Sequence, residues 1–272
     1  LVDMTSDIKR KVIAMMDRIF PEYETLFSDM FGKTSLELLK ECTTPEEVLA
    51  LDTTHLAEIL RKSSKGRFKQ EKAEELQKTA RNSFAVLLSS QTNSLLVKQM
   101  IEQIELLESQ ISEIEKIIEQ LYSKFDCKLT KIPGLGTTLA AVILSEIGDI
   151  SRFPDPKQLT AFAGLDPVLK QSGQNKGLGY HMSKRGSPYL RRALWLAAHS
   201  IKKWDPSFAY AYQKRIDSGK NKNQALGFIS HKLLNVVFSV LKNNIDYVPV
   251  FPPDVDVSKL AEKALKIAQS ND

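Results

Sequence analysis

The chain has 272 residues, of which 42% are hydrophobic and 26% are charged, and its net charge at pH 7 is +5. This length and composition suffice for one or two globular units with their own cores. Cys42 and Cys127 are too few for a disulfide framework, which fits a reducing cytosol, and the four histidines lack the spacing of a structural zinc site. No apolar run approaches the roughly 20 residues that cross a bilayer, so we expect no membrane segment.

Residues 1–88 are predicted to form a helical subdomain. Apolar residues at helical spacing over 6–20 predict an amphipathic helix that ends at Pro21. Thr44 followed by Pro45 and two glutamates is typical of a helix start. Between predicted helices at 55–62 and 69–88 lies a basic loop, which is either a solvated face or a contact for a nucleic-acid backbone. Its cations are Arg61, Lys62, Lys65, Arg67 and Lys69.

Residues 89–128 are predicted to form one long helix with a coiled-coil seam. Apolar residues alternate at steps of three and four for four heptads, at Val97, Met100, Ile104, Leu107, Ile111, Ile114, Ile118, Leu121 and Phe125. Further apolar residues flank this seam, so a helical bundle within the chain is the alternative. The seam predicts a partner helix, and we expect a homo-oligomer formed through it.

Residues 129–247 are predicted to form the next domain, which opens with Ile132-Pro133-Gly134-Leu135-Gly136. Two glycines beside Leu135 favour a helix-hairpin-helix in which backbone N–H groups approach a phosphate, and Thr137 is expected to cap the following helix. A plain turn between two core helices is the alternative. We therefore assign Gly134, Leu135 and Gly136 as candidate DNA-binding residues.

The segment from Lys170 to Lys203 contains no Asp or Glu. Its basic residues are Lys170, Lys176, Lys184, Arg185, Arg191, Arg192, Lys202 and Lys203. This density of one sign suits a polyanion, although a solvated basic loop has the same composition. We assign the first six as DNA-binding candidates, because arginine in particular grips phosphate through two hydrogen bonds.

Three serines in this segment are candidates for attack on a phosphodiester. Ser172 lies between Gln171 and Gly173, a pattern that also describes an ordinary turn, and Ser183 and Ser187 are the fallbacks. Neighbouring cations would neutralise the charge that spreads over the phosphate oxygens. Tyr189 and Trp204 are expected in the core, although Tyr189 is also placed to stack on a base. Residues 248–272 are predicted to be a tail, and the chain as a whole is expected to be all-α.

Five motifs in order carry a family resemblance: the hairpin at 132–136, Glu146-Ile147-Gly148-Asp149, Phe162-Ala163-Gly164-Leu165-Asp166-Pro167, Gln171-Ser172-Gly173, and Lys184-Arg185-Gly186-Ser187-Pro188-Tyr189-Leu190-Arg191-Arg192. Together they resemble the C-terminal transposase domain of the insertion sequence 110 family, over at least residues 129–244. Members of that family are prokaryotic DNA recombinases guided by a bridge RNA.

The resemblance implies that Ser172 is the nucleophile, that DNA and a guide (bridge) RNA are partners, and that the location is cytoplasmic and nucleoid-associated. The family also has an N-terminal RNase H-like domain with four acids that bind magnesium. Asp149, Asp155 and Asp166 stand singly here as turn and cap residues. Since the first residue is Leu1, we expect a fragment or processed chain that starts after those acids. We therefore expect no metal or cofactor in this chain, with Mg²⁺ implied for the parent enzyme, and no activity by the chain alone. A non-catalytic helix-hairpin-helix module that binds DNA structures is the alternative function.

Overall fold

A computed structural model describes residues 1–85, 90–168, 171–172, 175–176 and 181–249, with the backbone alone at 90, 171–172 and 175–176. The chain divides into two compact units, unit 1 from Leu1 to Ile114 and unit 2 from Glu115 to Asp272. The all-α prediction is confirmed. The described residues add two short antiparallel ladders that we did not predict. The predicted division into four segments stays a prediction.

Unit 1 is built from short helices in the order that the sequence predicts. The helices are α1 (Val2–Ile19), α2 (Lys33–Glu41), α3 (Pro45–Ala50), α4 (Thr53–Ser63), α5 (Gln70–Arg81) and the first part of α6 (Ser90–Tyr122), with a 3₁₀ helix at Pro21–Leu26. Helix α3 begins as predicted, because Thr44 and Glu47 form a capping box. Helix α4 is capped by Asp52 and begins at Thr53, two residues before the predicted start at residue 55. Helix α5 ends at Arg81, seven residues earlier than predicted.

The Glu47 carboxylate connects α3 to α6 inside unit 1. It accepts hydrogen bonds from the Thr43 amide at 2.6 Å, the Ser94 hydroxyl at 2.6 Å and the Lys98 ammonium at 3.0 Å. Burial opposes the charged form, but these hydrogen bonds and the charge of Lys98 outweigh it and lower the pKa of Glu47. The charged carboxylate therefore stabilises the packing of α6 on the rest of the unit.

The predicted seam of α6 has two different environments. Val97 and Ile104 are buried in the core of unit 1, together with Ile101, which flanks the seam, and Leu107 is buried next to them in sequence. Glu105 and Glu108, predicted to face outward, pair with Lys40 and Lys9 of the same unit. The first half of the seam is thus satisfied within the chain, as the bundle alternative expected. The exposed fractions of three later seam residues are 46% for Ile114, 51% for Leu121 and 61% for Phe125.

Unit 2 contains the last turns of α6, a 3₁₀ helix at Lys128–Lys131, and helices α7 (Thr137–Ile147), α8 (Pro156–Ala163), α9 (Pro188–Trp204), α10 (Pro206–Asp217) and α11 (Lys222–Asn243). A further 3₁₀ helix spans Ile150–Arg152. Between α8 and α9, strand β1 (Pro167–Val168) pairs with β4 (His181–Met182), and β2 (Gln171–Ser172) pairs with β3 (Asn175–Lys176). Both ladders are antiparallel, so they carry the chain out from α8 and back to α9.

Helix α11 is a core helix of unit 2, although it is long and apolar enough to cross a membrane by length and composition, which we did not expect. It packs mainly on α9, and its buried side chains join a single cluster with those of α7, α8 and α9. Its buried members are Ala225, Leu226, Ile229, Ser230, Leu233, Leu234, Val237 and Val240. Trp204, expected in the core, is 53% exposed at the end of α9.

The predicted helix-hairpin-helix stays a prediction, and the two glycines of the turn at 132–136 differ. One 3₁₀ turn, rather than a full helix, precedes it, and Gly136 rather than Thr137 is the N-cap of α7, without a side-chain cap. Gly134 has φ of +83°, and a Cβ there would lie 3.0 Å from the Cα of Ile201 in α9. A Cβ on Gly136 would meet nothing within 4 Å. Gly134 is therefore required by packing, which corrects our assumption that both glycines leave room for a ligand.

Replacing these glycines by alanine should separate packing from ligand approach. Gly134→Ala places a side chain at positive φ and against α9, and should lower the free energy of unfolding by roughly 1–2 kcal/mol or more. Gly136→Ala is the matched control and should leave stability within about 0.5 kcal/mol. Urea unfolding followed by circular dichroism measures both. Equal stabilities for the two variants would contradict the packing role of Gly134.

Replacing Glu47 by glutamine should destabilise unit 1 in a pH-dependent way. Because the folded-state pKa of Glu47 is lowered, its contribution is present above the unfolded-state pKa of about 4.3 and is lost as the pH falls through the folded-state value. Glu47→Gln should therefore cost about 1–3 kcal/mol at pH 7 and progressively less below pH ~4. The exposed neighbour Glu46, changed to glutamine, is the control. A cost independent of pH would show that the charge of Glu47 plays no part.

Candidate nucleic-acid interface

The candidate site is built on a backbone contact between residues 162–166 and 183–187. Three amides of the second segment donate to carbonyl oxygens of the first: Ser183 to Asp166 at 2.8 Å, Lys184 to Gly164 at 3.1 Å and Ser187 to Phe162 at 2.7 Å. These bonds close the base of the segment that carries the two ladders. They fix where residues 167–182 leave the helical core and where they return.

Two glycines allow this contact. Gly164 ends α8 in the left-handed conformation, and a Cβ on it would lie 3.0 Å from the Gly186 nitrogen. A Cβ on Gly186 would lie only 1.8 Å from the Phe162 carbonyl oxygen, a distance that no side chain tolerates. The two glycines in the family-like motifs are thus required because two backbones touch.

The predicted DNA-binding cations have different environments around this base. Lys184 and Arg185 are exposed, and Lys184 is held at φ of +54°. Arg192 is exposed on the first turns of α9. Arg191 is half-buried and donates from its guanidinium to the Ala163 carbonyl oxygen at 3.2 Å, so it also supports the end of α8. The structure therefore brings Lys184 and Arg185 to the base of the ladders, and gives Arg191 a structural contact.

The ladders place the backbone of Ser172 opposite Asn175, and that of Lys176 opposite Gln171. The side chains of Ser172 and Lys176, and the whole of Lys170, lie outside the described residues. The Gly-rich loop that we predicted around Ser172 is thus in part a short antiparallel ladder.

The two fallback serines are each hydrogen-bonded to a carboxylate. The Ser183 hydroxyl donates to Asp166, across the base of the ladders. The Ser187 hydroxyl donates to Glu146 of α7 at 2.7 Å and accepts from the Leu190 amide at 3.0 Å, so it is the N-cap of α9. Removal of either hydroxyl would leave a carboxylate without this donor, which suggests a structural role for both serines. Sequence reasoning missed Glu146 and Asp166 as partners, since such pairing depends on contacts 41 and 17 residues apart.

Tyr189 is 69% exposed on the first turn of α9, which corrects our prediction that it belongs to the core. Pro188 and Tyr189 precede the first buried residue of the helix, Leu190, so its ring points away from the apolar face. An exposed aromatic ring close in sequence to Lys184 and Arg185 suits stacking on a nucleic-acid base.

The hairpin contributes backbone rather than side chains. Leu135 is 3% exposed and its amide donates to the Ile132 carbonyl, so the side chain cannot reach a ligand. The neighbouring Lys131 forms an ion pair with Asp246 at 3.0 Å. The open position is Gly136, at the uncapped start of α7.

The part of the chain that the structure describes contains no cluster of side chains suited to bind a metal ion. No group of three or more His, Cys, Asp or Glu side chains is close enough to share an ion there. Asp149 and Asp155 are turn and cap residues, as predicted. Burial raises the pKa of the Cys42 thiol to about 12, which keeps it protonated and unreactive. The described residues therefore do not fit the magnesium that the resemblance implies for the parent enzyme.

Comparisons with known proteins agree with the motif pattern. Residues 127–213 match the family model described as Transposase IS116/IS110/IS902 family. The chain is 33% identical over 130 residues to the insertion element IS110 43.6 kDa protein of Streptomyces coelicolor, covering 48% of this chain and 32% of that protein. It is 27% identical over 263 residues to the IS116 44.8 kDa protein of Streptomyces clavuligerus, covering 92% and 63%.

A third relative is the pilin gene-inverting protein of Moraxella bovis, which is 27% identical over 169 residues and covers 62% of this chain and 52% of its own length. The chain thus spans between a third and two thirds of the length of these relatives. The matched region contains the hairpin, both ladders and helix α9. Residues 127–213 are therefore similar to the transposase domain of the IS116/IS110/IS902 family.

Proposed function

We propose that this chain is the DNA-acting part of an insertion-sequence recombinase that cleaves and rejoins strands through Ser172. The observation that carries the proposal is the backbone-closed base at 162–166 and 183–187, which presents Lys184 and Arg185 at the foot of the segment that contains Ser172. A rigid base with cations around it suits a phosphodiester held for in-line attack. The family match and the pilin gene-inverting relative support a recombination reaction.

The reaction that we propose conserves the energy of the bond that it breaks. The Ser172 Oγ forms a bond to phosphorus, its proton leaves to a base, and the bond from phosphorus to the departing 3′-oxygen breaks as that oxygen takes up a proton. The phosphoserine link is then attacked by a 3′-hydroxyl in the rejoining step. Lys184 and Arg185 would stabilise the charge on the phosphate oxygens, and Tyr189 would stack on a neighbouring base.

The remaining parts of the proposal rest on the family resemblance. Magnesium would be held by acidic residues of an RNase H-like domain outside these 272 residues. A bridge RNA would choose the target, in the cytoplasm of a prokaryotic cell and close to the nucleoid. The alternative is a non-catalytic module that binds DNA structures through the hairpin at Gly136, and it would need no serine.

We also propose that the chain self-associates through the end of α6. In unit 2, Leu121 and Phe125 line an apolar cavity of about 560 Å³ whose opposite wall is the face of α7 with Ala141, Val142 and Leu144. The heptad spacing continues into this surface, and a second copy of the same helix has the matching apolar residues. Exposure of so many large apolar side chains on one face is typical of an interaction site.

Ser172→Ala should abolish covalent DNA attachment in a full-length family enzyme that contains this chain and is supplied with its RNA. DNA retention should survive, because one hydroxyl adds little among several cations. The measurement is protein–DNA adduct formation under denaturing conditions with a nicked suicide substrate. Ser183→Ala and Ser187→Ala are the matched controls and should keep some adduct. A normal adduct from Ser172→Ala would remove Ser172 from the mechanism, and loss only with Ser183→Ala would move the nucleophile there.

DNA binding by the chain should be strongly salt-dependent. Arg191 contacts the Ala163 carbonyl, and Lys202 lies 4.5 Å from the Tyr212 ring centre, with its pKa lowered by burial and by nearby lysines. If about six of the eight cations between Lys170 and Lys203 contact phosphates, log K should fall with log salt at a slope of roughly −5, at ~0.9 per contact. Fluorescence anisotropy with a DNA duplex measures this slope. A slope near zero would remove the nucleic-acid assignment of unit 2.

Leu121→Glu should dissociate the proposed oligomer. Loss of one buried leucine at the contact costs roughly 1.5–3 kcal/mol, which weakens association about tenfold or more. Leu196→Glu is the matched control, since Leu196 is 47% exposed on α9, compared with 51% for Leu121. Sedimentation velocity over a range of concentrations separates the two. A monomeric parent chain, or equal dissociation by both variants, would contradict the proposal.

A further inference from the structure

The turn between α4 and α5 in unit 1 concentrates positive charge at the surface. Five cations lie within nine residues, and the chain has no Asp or Glu between Glu58 and Glu71. All five side chains are exposed: Arg61, Lys62, Lys65, Arg67 and Lys69. Their mutual repulsion is a cost to the folded state that is unnecessary for packing, because the core beneath is formed by other residues, Leu56, Leu60, Ala73 and Leu76.

Some basic residues of unit 1 have acidic partners among the described residues, and the five cations of the turn do not. Lys9, Lys40 and Lys98 pair with Glu108, Glu105 and Glu47, at 2.7, 2.5 and 3.0 Å. Within the described part of the chain, none of the five cations of the turn has an ion pair. The turn is therefore the place in the described residues of unit 1 where five unpaired cations lie within nine residues of one another in sequence.

The turn has a defined backbone that holds the cations in place. The Gly66 amide donates to the Arg61 carbonyl at 2.8 Å, and the Phe68 amide donates to the Ser64 hydroxyl at 2.9 Å. Lys65 has φ of +54°, a conformation in which glycine or asparagine would cost less. The Arg67 guanidinium lies 5.6 Å from the centre of the half-buried Phe68 ring. A lysine thus occupies a strained position where an uncharged residue would be easier to accommodate.

We propose that the α4–α5 turn is a second nucleic-acid contact surface, which binds the phosphate backbone of a double helix without reading its bases. Several cations presented on a preformed turn can contact successive phosphates and release their counterions. Lysine and arginine at a tip, with no carboxylate among them, suit phosphate oxygens. The proposal concerns unit 1 and goes beyond the function proposed for unit 2.

The main test removes three charges from the turn in the complete 272-residue chain. Lys62→Gln, Lys65→Gln and Arg67→Gln are combined, and the control combines Lys11→Gln, Arg18→Gln and Lys33→Gln, which are exposed in unit 1 away from the turn. Both variants have the same net charge. We expect the turn variant to flatten the salt slope for a DNA duplex by about 2–3, at ~0.9 per lost phosphate contact, with the control slope close to that of the parent.

A single variant separates charge from folding. Lys65→Gly removes one cation and relieves the positive φ, so it should fold at least as stably as the parent while its salt slope falls by about 0.9. Circular dichroism and urea unfolding check the fold. An unchanged slope in this folded variant, with an unchanged slope in the triple variant, would overturn the proposal.

Two duplexes of the same sequence, one of DNA and one of RNA, identify the source of the phosphate backbone. If the salt slope of the triple variant is flatter than that of the control variant with one of the duplexes, the proposal is supported and that duplex is identified as the ligand. Slopes equal to the control with both would overturn it. Lys184→Gln combined with Arg185→Gln tests unit 2 in parallel. If only the Lys184 and Arg185 variant weakens binding, the turn proposal fails and the function proposed for unit 2 stands. If only the turn variant weakens binding, the turn proposal stands and the nucleic-acid assignment of unit 2 fails.

Discussion

The contact on which the candidate site depends is between two backbones, at Gly186 and the Phe162 carbonyl. No side chain fits at Gly186, so the segment after the ladders can lie directly on the end of α8. Three main-chain hydrogen bonds then fix the positions of Ser183, Lys184 and Ser187. This contact determines the position of every cation at the base of the ladders. The positions of the charged residues of the site therefore depend on a steric contact between a glycine and a peptide group, neither of which is charged.

Helix α6 shows how one apolar repeat can serve two purposes. Up to Ile104 its apolar face completes the core of unit 1, and Glu105 and Glu108 of the same helix form ion pairs within that unit. Beyond that point Leu121 and Phe125 remain exposed beside a cavity in unit 2. The sequence period is the same throughout, and only the presence or absence of neighbouring helices distinguishes the two halves. A heptad repeat thus indicates that a partner surface exists, without identifying the surface.

The helices, the helix start at Thr44 and the turn roles of Asp149 and Asp155 followed from the sequence, because these features depend on residues a few positions apart. The pairing of Ser187 with Glu146 and the contact of Gly134 with Ile201 did not, because they depend on which helices meet. Tyr189 was misplaced because its exposure depends on where the buried face of α9 begins, which is at Leu190. The short ladders around Ser172 were missed because two-residue strands leave no alternation in the sequence.

The bonds at the base of the ladders are made by main-chain atoms and by the Ser183–Asp166 pair, all outside the residues between Val168 and His181. A substitution between these two ends leaves every one of those bonds in place. The closure of the base and the chemistry proposed for Ser172 are therefore separable: one is carried by the ends of the segment, and the other by a residue within it.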